Sequence, residues 1–137
     1  MFNTPGDPRD QASLALSLGR WVDSPASGLL WLTDWPFYSA LEMKLFVDLS
    51  YGGTDPPPLI EAPGVVFAAA HATTLELGAH LWLLMTFNWE GVFLAERRRT
   101  AIWIADEIIE VVSSDEPECG RLDVILDELN IANLADN

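Results

Sequence analysis

From Ala62 to Trp89 the chain runs for 28 residues with Glu76 as its only formal charge. A bilayer span needs about 20 predominantly apolar residues, so this segment decides first whether the chain belongs in lipid or in water. Glu76 stands in its middle, where a carboxylate is expensive in hydrocarbon. His71, Thr73, Thr74, Gly78, His80, Thr86 and Asn88 dilute the run. Lys and Arg do not flank it in the asymmetric way that membrane spans show. The expectation is a water-soluble protein with no membrane partner.

Periodicity then offers a soluble account. In His80–Trp89, Leu81, Leu83, Met85, Phe87 and Trp89 alternate with His80, Trp82, Leu84, Thr86 and Asn88, which predicts a strand. Thr73–Leu77 reads as a second strand, bent from the first at Gly78. Asn88–Gly91 reads as a hairpin turn leading into a short strand, VFLAE. Val65–Ala70 fits either a strand or a short helix.

Helix signals bracket this region. Asp7, Pro8 and Asp10 suit an N-cap, the first helical position and the first turn. Leu14, Leu18, Trp21 and Val22 follow at helical spacing. After SPASG at 24–28, LLWLTDWPFYS reads as a short strand ending at Pro36. Leu41–Tyr51 alternates at period two and predicts another strand. The proline-rich stretch 54–64 cannot pair in a sheet and reads as a loop. Ala101, Ile104, Ala105, Ile108, Val111 and Val112 fall on one helical stripe, with Glu107 and Glu110 turned away. Leu122, Ile125, Leu126 and Leu129 make a second stripe. The expected fold is a single α+β domain over 1–137: an antiparallel β-meander with an N-terminal helix and two C-terminal helices packed on the sheet. Residues 1–6 and 132–137 are expected to be flexible.

Half of the residues are hydrophobic and 20% are charged, which is a globular balance. The charge is lopsided, with 21 acidic residues against 7 basic ones and a net charge of −14. Such a surface repels nucleic acid and anionic lipid and attracts basic proteins. Cys119 is the single cysteine, so no disulfide forms within one chain, and a reducing, cytoplasmic setting is expected. No basic segment followed by an apolar run opens the chain, so no secretory signal is expected.

Catalytic constellations are hard to find. His71, Glu76 and His80 match no helical zinc spacing, and neither a metal nor a cofactor is expected. Cys119 has Asp115, Glu116 and Glu118 as neighbours, which oppose thiolate formation. Glycine-rich phosphate loops, nucleophile elbows and dinucleotide fingerprints are absent. Arg97, Arg98 and Arg99 read as a solvated corner before a helix.

The acids cluster late in the chain. From Asp106 onward come Asp106, Glu107, Glu110, Asp115, Glu116, Glu118, Asp123, Asp127, Glu128 and Asp136, opposed only by Arg121. All but Asp136, with Trp103, form the expected partner-binding set, and Trp31 and Trp35 join Trp103 as candidate apolar anchors. The expected function is a non-catalytic acidic binding protein. It would inhibit or neutralise a basic partner, a toxin, an effector or a nucleic-acid-binding protein, in the manner of an immunity protein, antitoxin or phage-type inhibitor. The alternatives are a small acidic secretion chaperone, which would share the helix–strands–helix plan and form homodimers, and a small metal-dependent hydrolase using His71, Glu76 or His80.

Overall fold

The structure is a computed structural model that describes residues 1–22, 28–34, 45, 46, 49, 64–67, 74–96 and 99–134. Helix α1 (Pro8–Trp21) begins as the sequence dictates. Asp7 is extended, and its side chain accepts a hydrogen bond from the Arg9 backbone N–H at 2.7 Å. Pro8 and Asp10 lie in the first turn and Arg20 in the last, each complementing the helix dipole or its free N–H groups. Leu14, Leu18, Trp21 and Val22 are all buried.

Among the described residues there are six strands, β1 (Phe2–Asn3), β2 (Gly28–Asp34), β3 (Gly64–Phe67), β4 (Glu90–Ala95), β5 (Thr100–Ala105) and β6 (Ile108–Ser113). They form one antiparallel sheet in the order β1-β6-β5-β4-β2-β3. Helix α2 (Thr74–Phe87) lies between β3 and β4, and helix α3 (Glu116–Glu128) follows β6. The α+β class and the N-terminal helix are as expected, and the sheet contains an antiparallel meander, although its strands β5 and β6 are not among those expected. Among the described residues no helix is long and apolar enough to cross a membrane.

Two segments exchange their expected identities. Residues 74–87 are helical, so the strands expected over Thr73–Leu77 and His80–Trp89 are α2 instead. Its residues are apolar on nearly every side, and a pattern without a polar face fits period two as well as 3.6. The helix expected over Ala101–Val112 is the β5–β6 hairpin, paired from Thr100↔Ser113 to Ala105↔Ile108. Asp106 and Glu107 form its turn with φ of 51° and 62°. Positive φ at both turn residues is the two-residue geometry that matches the twist of the strands.

Three smaller expectations also change. Phe2 pairs with Ile109 and is fully buried, so the start of the chain is held in the sheet. Most of 41–51 lies outside the described residues, but Leu45, Phe46 and Leu49 are helical, and Phe46 packs edge-on against Trp89 at 5.7 Å. Asn88 ends α2 in the left-handed region (φ 53°), and the Trp89 N–H reaches back to the Leu84 carbonyl at 2.9 Å. That is a helix C-cap where a hairpin turn was expected. Asn130 (φ 55°) and the 2.9 Å bond from Ile131 N–H to the Leu126 carbonyl close α3 in the same way.

Helices α1 and α2 pack on each other and on the inner face of the sheet. They cross closely at Gly78, where a Cβ would stand 3.2 Å from the Ala15 carbonyl oxygen and the Leu16 Cα. Helix α3 lies beside α1 and β6, burying Leu122 and Leu126. The Trp21 indole N–H donates to the Glu118 carbonyl at 2.8 Å and ties α3 to α1.

Candidate protein-binding face on the sheet

Alternation along the strands sends one set of side chains to the helices and the other to the opposite face. Leu30, Leu32, Phe93, Ile102, Ile104 and Ile109 point inward, and each is at most 3% exposed. Their neighbours point outward. Trp31 is 50% exposed, Leu94 44%, Trp103 51% and Val112 57%.

Register assembles these outward residues into rows. Trp31 pairs with Val92, Val92 with Trp103, and Trp103 with Glu110. The next row is Leu29, Leu94, Ala101 and Val112. Cross-strand partners on one face lie about 5 Å apart, so Trp31, Val92, Trp103, Leu29, Leu94, Ala101 and Val112 form a continuous apolar surface with Glu110 at its β6 edge. Contiguous exposed apolar surface of this kind marks an interaction site more often than a chance residue does.

Acids border that surface. Asp34 pairs with Glu90 at one end of β2 and β4, the end at which the β5–β6 turn places Asp106 and Glu107. Strands β2, β4, β5 and β6 contain Asp34, Glu90 and Glu110 and no Lys or Arg. Trp103, Asp106, Glu110, Ile108 and Met1 line a single groove of about 260 Å³. Asp106 also lines a cleft of about 370 Å³ on the other side of the turn, with Glu107, Gln11, Asn88 and Trp89.

The expected binding residues therefore divide. Trp103, Asp106 and Glu110 come together in the groove, with Glu107 beside them. Asp115 stands at the N-cap of α3, and its backbone N–H donates to the Ser113 hydroxyl at 3.3 Å. Glu118 faces inward and pairs with Arg121 at 2.9 Å. Glu116, Asp127 and Glu128 are exposed on α3 and do not line the groove; Asp123, also exposed, accepts from the Asn133 amide, whose oxygen in turn accepts from the Met1 ammonium. Asp34, Glu90, Trp31, Val92 and Leu94 belong to the face although the late acidic run does not contain them. Strand pairing joins what sequence distance separates: Asp34, Glu90, Val92 and Leu94 meet the groove residues only through the β2–β4 and β4–β5 pairings.

One of the two histidines, His80, lies within the described residues. His80 is buried in α2, and its Nδ1 donates to the Glu76 carbonyl at 2.8 Å. Burial holds its pKa below the ordinary histidine value, against the weaker opposing pull of that hydrogen bond and of the Glu76 charge. His71 lies outside the described residues. Among the described residues no three His, Cys, Asp or Glu side chains are grouped to hold a metal ion. Arg99 is exposed at the β4–β5 corner, Trp35, Arg97 and Arg98 lie outside the described residues, and Cys119 is exposed.

Comparison with protein-family models, with curated proteins and with solved structures finds no match.

Proposed function

We propose that the protein is a non-catalytic binding protein that engages a basic partner protein through the outer face of its sheet. One observation carries the reading: a broad apolar face, with Trp31 and Trp103 half exposed, is bordered by carboxylates and built from strands without a single Lys or Arg. The apolar area supplies the drive for association, and the acids select and orient a cationic partner. Inhibition or neutralisation of a basic toxin, effector or nucleic-acid-binding protein in a reducing compartment is the biological form we favour. Affinity purification under native conditions, followed by washes at rising salt, tests it. A stoichiometric basic protein that elutes as salt rises is the expected result. Absence of any such protein, or retention unaffected by salt, overturns the reading.

A chaperone for a secreted effector is the second reading. The width of the uncovered apolar face favours it, because an extended effector segment would need several adjacent apolar rows. A partner recognised only when unfolded would select this reading over the first.

A further inference from the structure

We infer that the groove at Trp103 is an arginine subsite: it takes an arginine side chain of the partner, stacked on the indole and held by the carboxylates of Asp106 and Glu110. The inference rests on the reading above and specifies the chemistry of its central contact.

The groove offers three features that converge on one side-chain type. Trp103 is half exposed on a strand paired on both sides, so the indole is available without unfolding anything. A guanidinium is attracted to such a ring both electrostatically and by planar stacking, and Trp is the strongest of the aromatic partners. Glu110 stands directly across the strand pair from Trp103, and Asp106 follows three residues after it at the turn. Two carboxylates beside one ring suit the several N–H groups of guanidinium better than the single ammonium of lysine. Met1 and Ile108 complete the walls and would cover the aliphatic stem of the side chain.

A second copy of this chain is a poor occupant of the same face. Symmetric pairing would bring each acidic border toward its own image, and each copy carries a net charge of −14. Beside the groove, Val92, Trp31 and Leu94 continue the apolar rows. The matching partner segment is extended, with arginine flanked by branched aliphatic residues.

The probe is an acetylated, amidated five-residue peptide alternating valine and arginine, titrated into the intact protein while the Trp103 indole N–H is followed by NMR. Replacing arginine by neutral citrulline should abolish the Trp103 shift, and replacing it by lysine should weaken binding severalfold. Glu110→Gln with Asp106→Asn should weaken binding by about tenfold or more, since charged hydrogen bonds are lost without disturbing the fold. Trp103→Ala removes that reporter, so its binding is read by isothermal titration calorimetry, where the same loss is expected, whereas Asp10→Asn on α1 should leave binding unchanged. Equal binding by the citrulline peptide, or equal loss on Asp10→Asn, would overturn the subsite. A captured basic partner whose affinity ignores Trp103→Ala and Glu110→Gln also overturns the subsite but leaves the proposed function standing. A groove that binds the peptide in a protein with no basic partner would have the opposite meaning.

Discussion

The two faces of the sheet are made of similar residues and have opposite fates. Phe93 and Leu94 are chain neighbours on β4; the first is fully buried and the second is 44% exposed. Ile102 and Trp103 differ in the same way on β5. Hydrophobic composition alone therefore says little about what a residue contributes to folding. The inner residues gain their transfer free energy when the chain folds, about 1.5–3 kcal/mol for a large side chain. Their outer neighbours leave much of that gain unrealised in the folded chain. The inner face holds the fold and the outer face is available for binding.

The strongest test of that division is to hollow the inner face. Phe93→Ala removes a fully buried ring and should cost about 3–5 kcal/mol in urea unfolding. A cost under about 1 kcal/mol would mean that the inner layer is not the packed core described above. Gly78→Val probes the helix layer that covers this face. Its side chain would meet the Ala15 carbonyl and the Leu16 Cα where α1 and α2 cross, so the helices must separate. Overpacking of this kind costs roughly 1–3 kcal/mol. Stability equal to the parent protein would show that the crossing is loose.

Protonation distinguishes the faces more gently. His80 lies on the covered side, and burial lowers its pKa in the folded protein. Unfolded chains therefore bind this proton first as pH falls below the ordinary histidine value near 6.5. Stability contributed by neutral, buried His80 is present above that pH and declines as pH falls from it toward the lower folded value. His80→Gln, which retains a donor for the Glu76 carbonyl, should flatten this part of the profile between pH 7.5 and 5.5. Identical slopes in both proteins would assign the pH dependence elsewhere.

How much of this was legible in sequence depends on which code each segment used. Helix α1 was written in local signals, with a capping aspartate, a proline in the first turn and an apolar stripe. Helix α3 kept its stripe too, with Leu122 and Leu126 buried and Ile125 and Leu129 half buried. Helix α2 carried no such contrast, because residues on nearly every side are apolar. Its 14 residues exceed the usual strand length, and that was the better arbiter. The segment 100–113 misled in the other direction. Its isoleucines and valines fit a helical stripe by coincidence, yet β-branched residues in that density favour strands. Asp106–Glu107 lacks the glycine that usually announces a two-residue turn. The site was half legible for the same reason. Trp103, Asp106 and Glu110 lie close in the chain and share one late acidic run, while Asp34 and Glu90 reach the same face only through strand pairing.

Threonine on either side of the sheet gives the most discriminating comparison, although its outer effect is the smallest. Threonine keeps the branched shape and the strand preference of the residue it replaces, so propensity stays nearly constant and burial is what differs. At Ile102, fully buried, the hydroxyl would enter the apolar layer and cost free energy in unfolding. At Val112, 57% exposed, the same hydroxyl reaches water, and the change should stay within about 0.5 kcal/mol. Val112 also closes the row of Leu29, Leu94 and Ala101, so Val112→Thr should weaken partner binding while leaving the unfolding midpoint in place. If Val112→Thr instead destabilised the protein as much as Ile102→Thr, the outer face would be part of the folding core. The apolar rows would then no longer be surface held available for a partner.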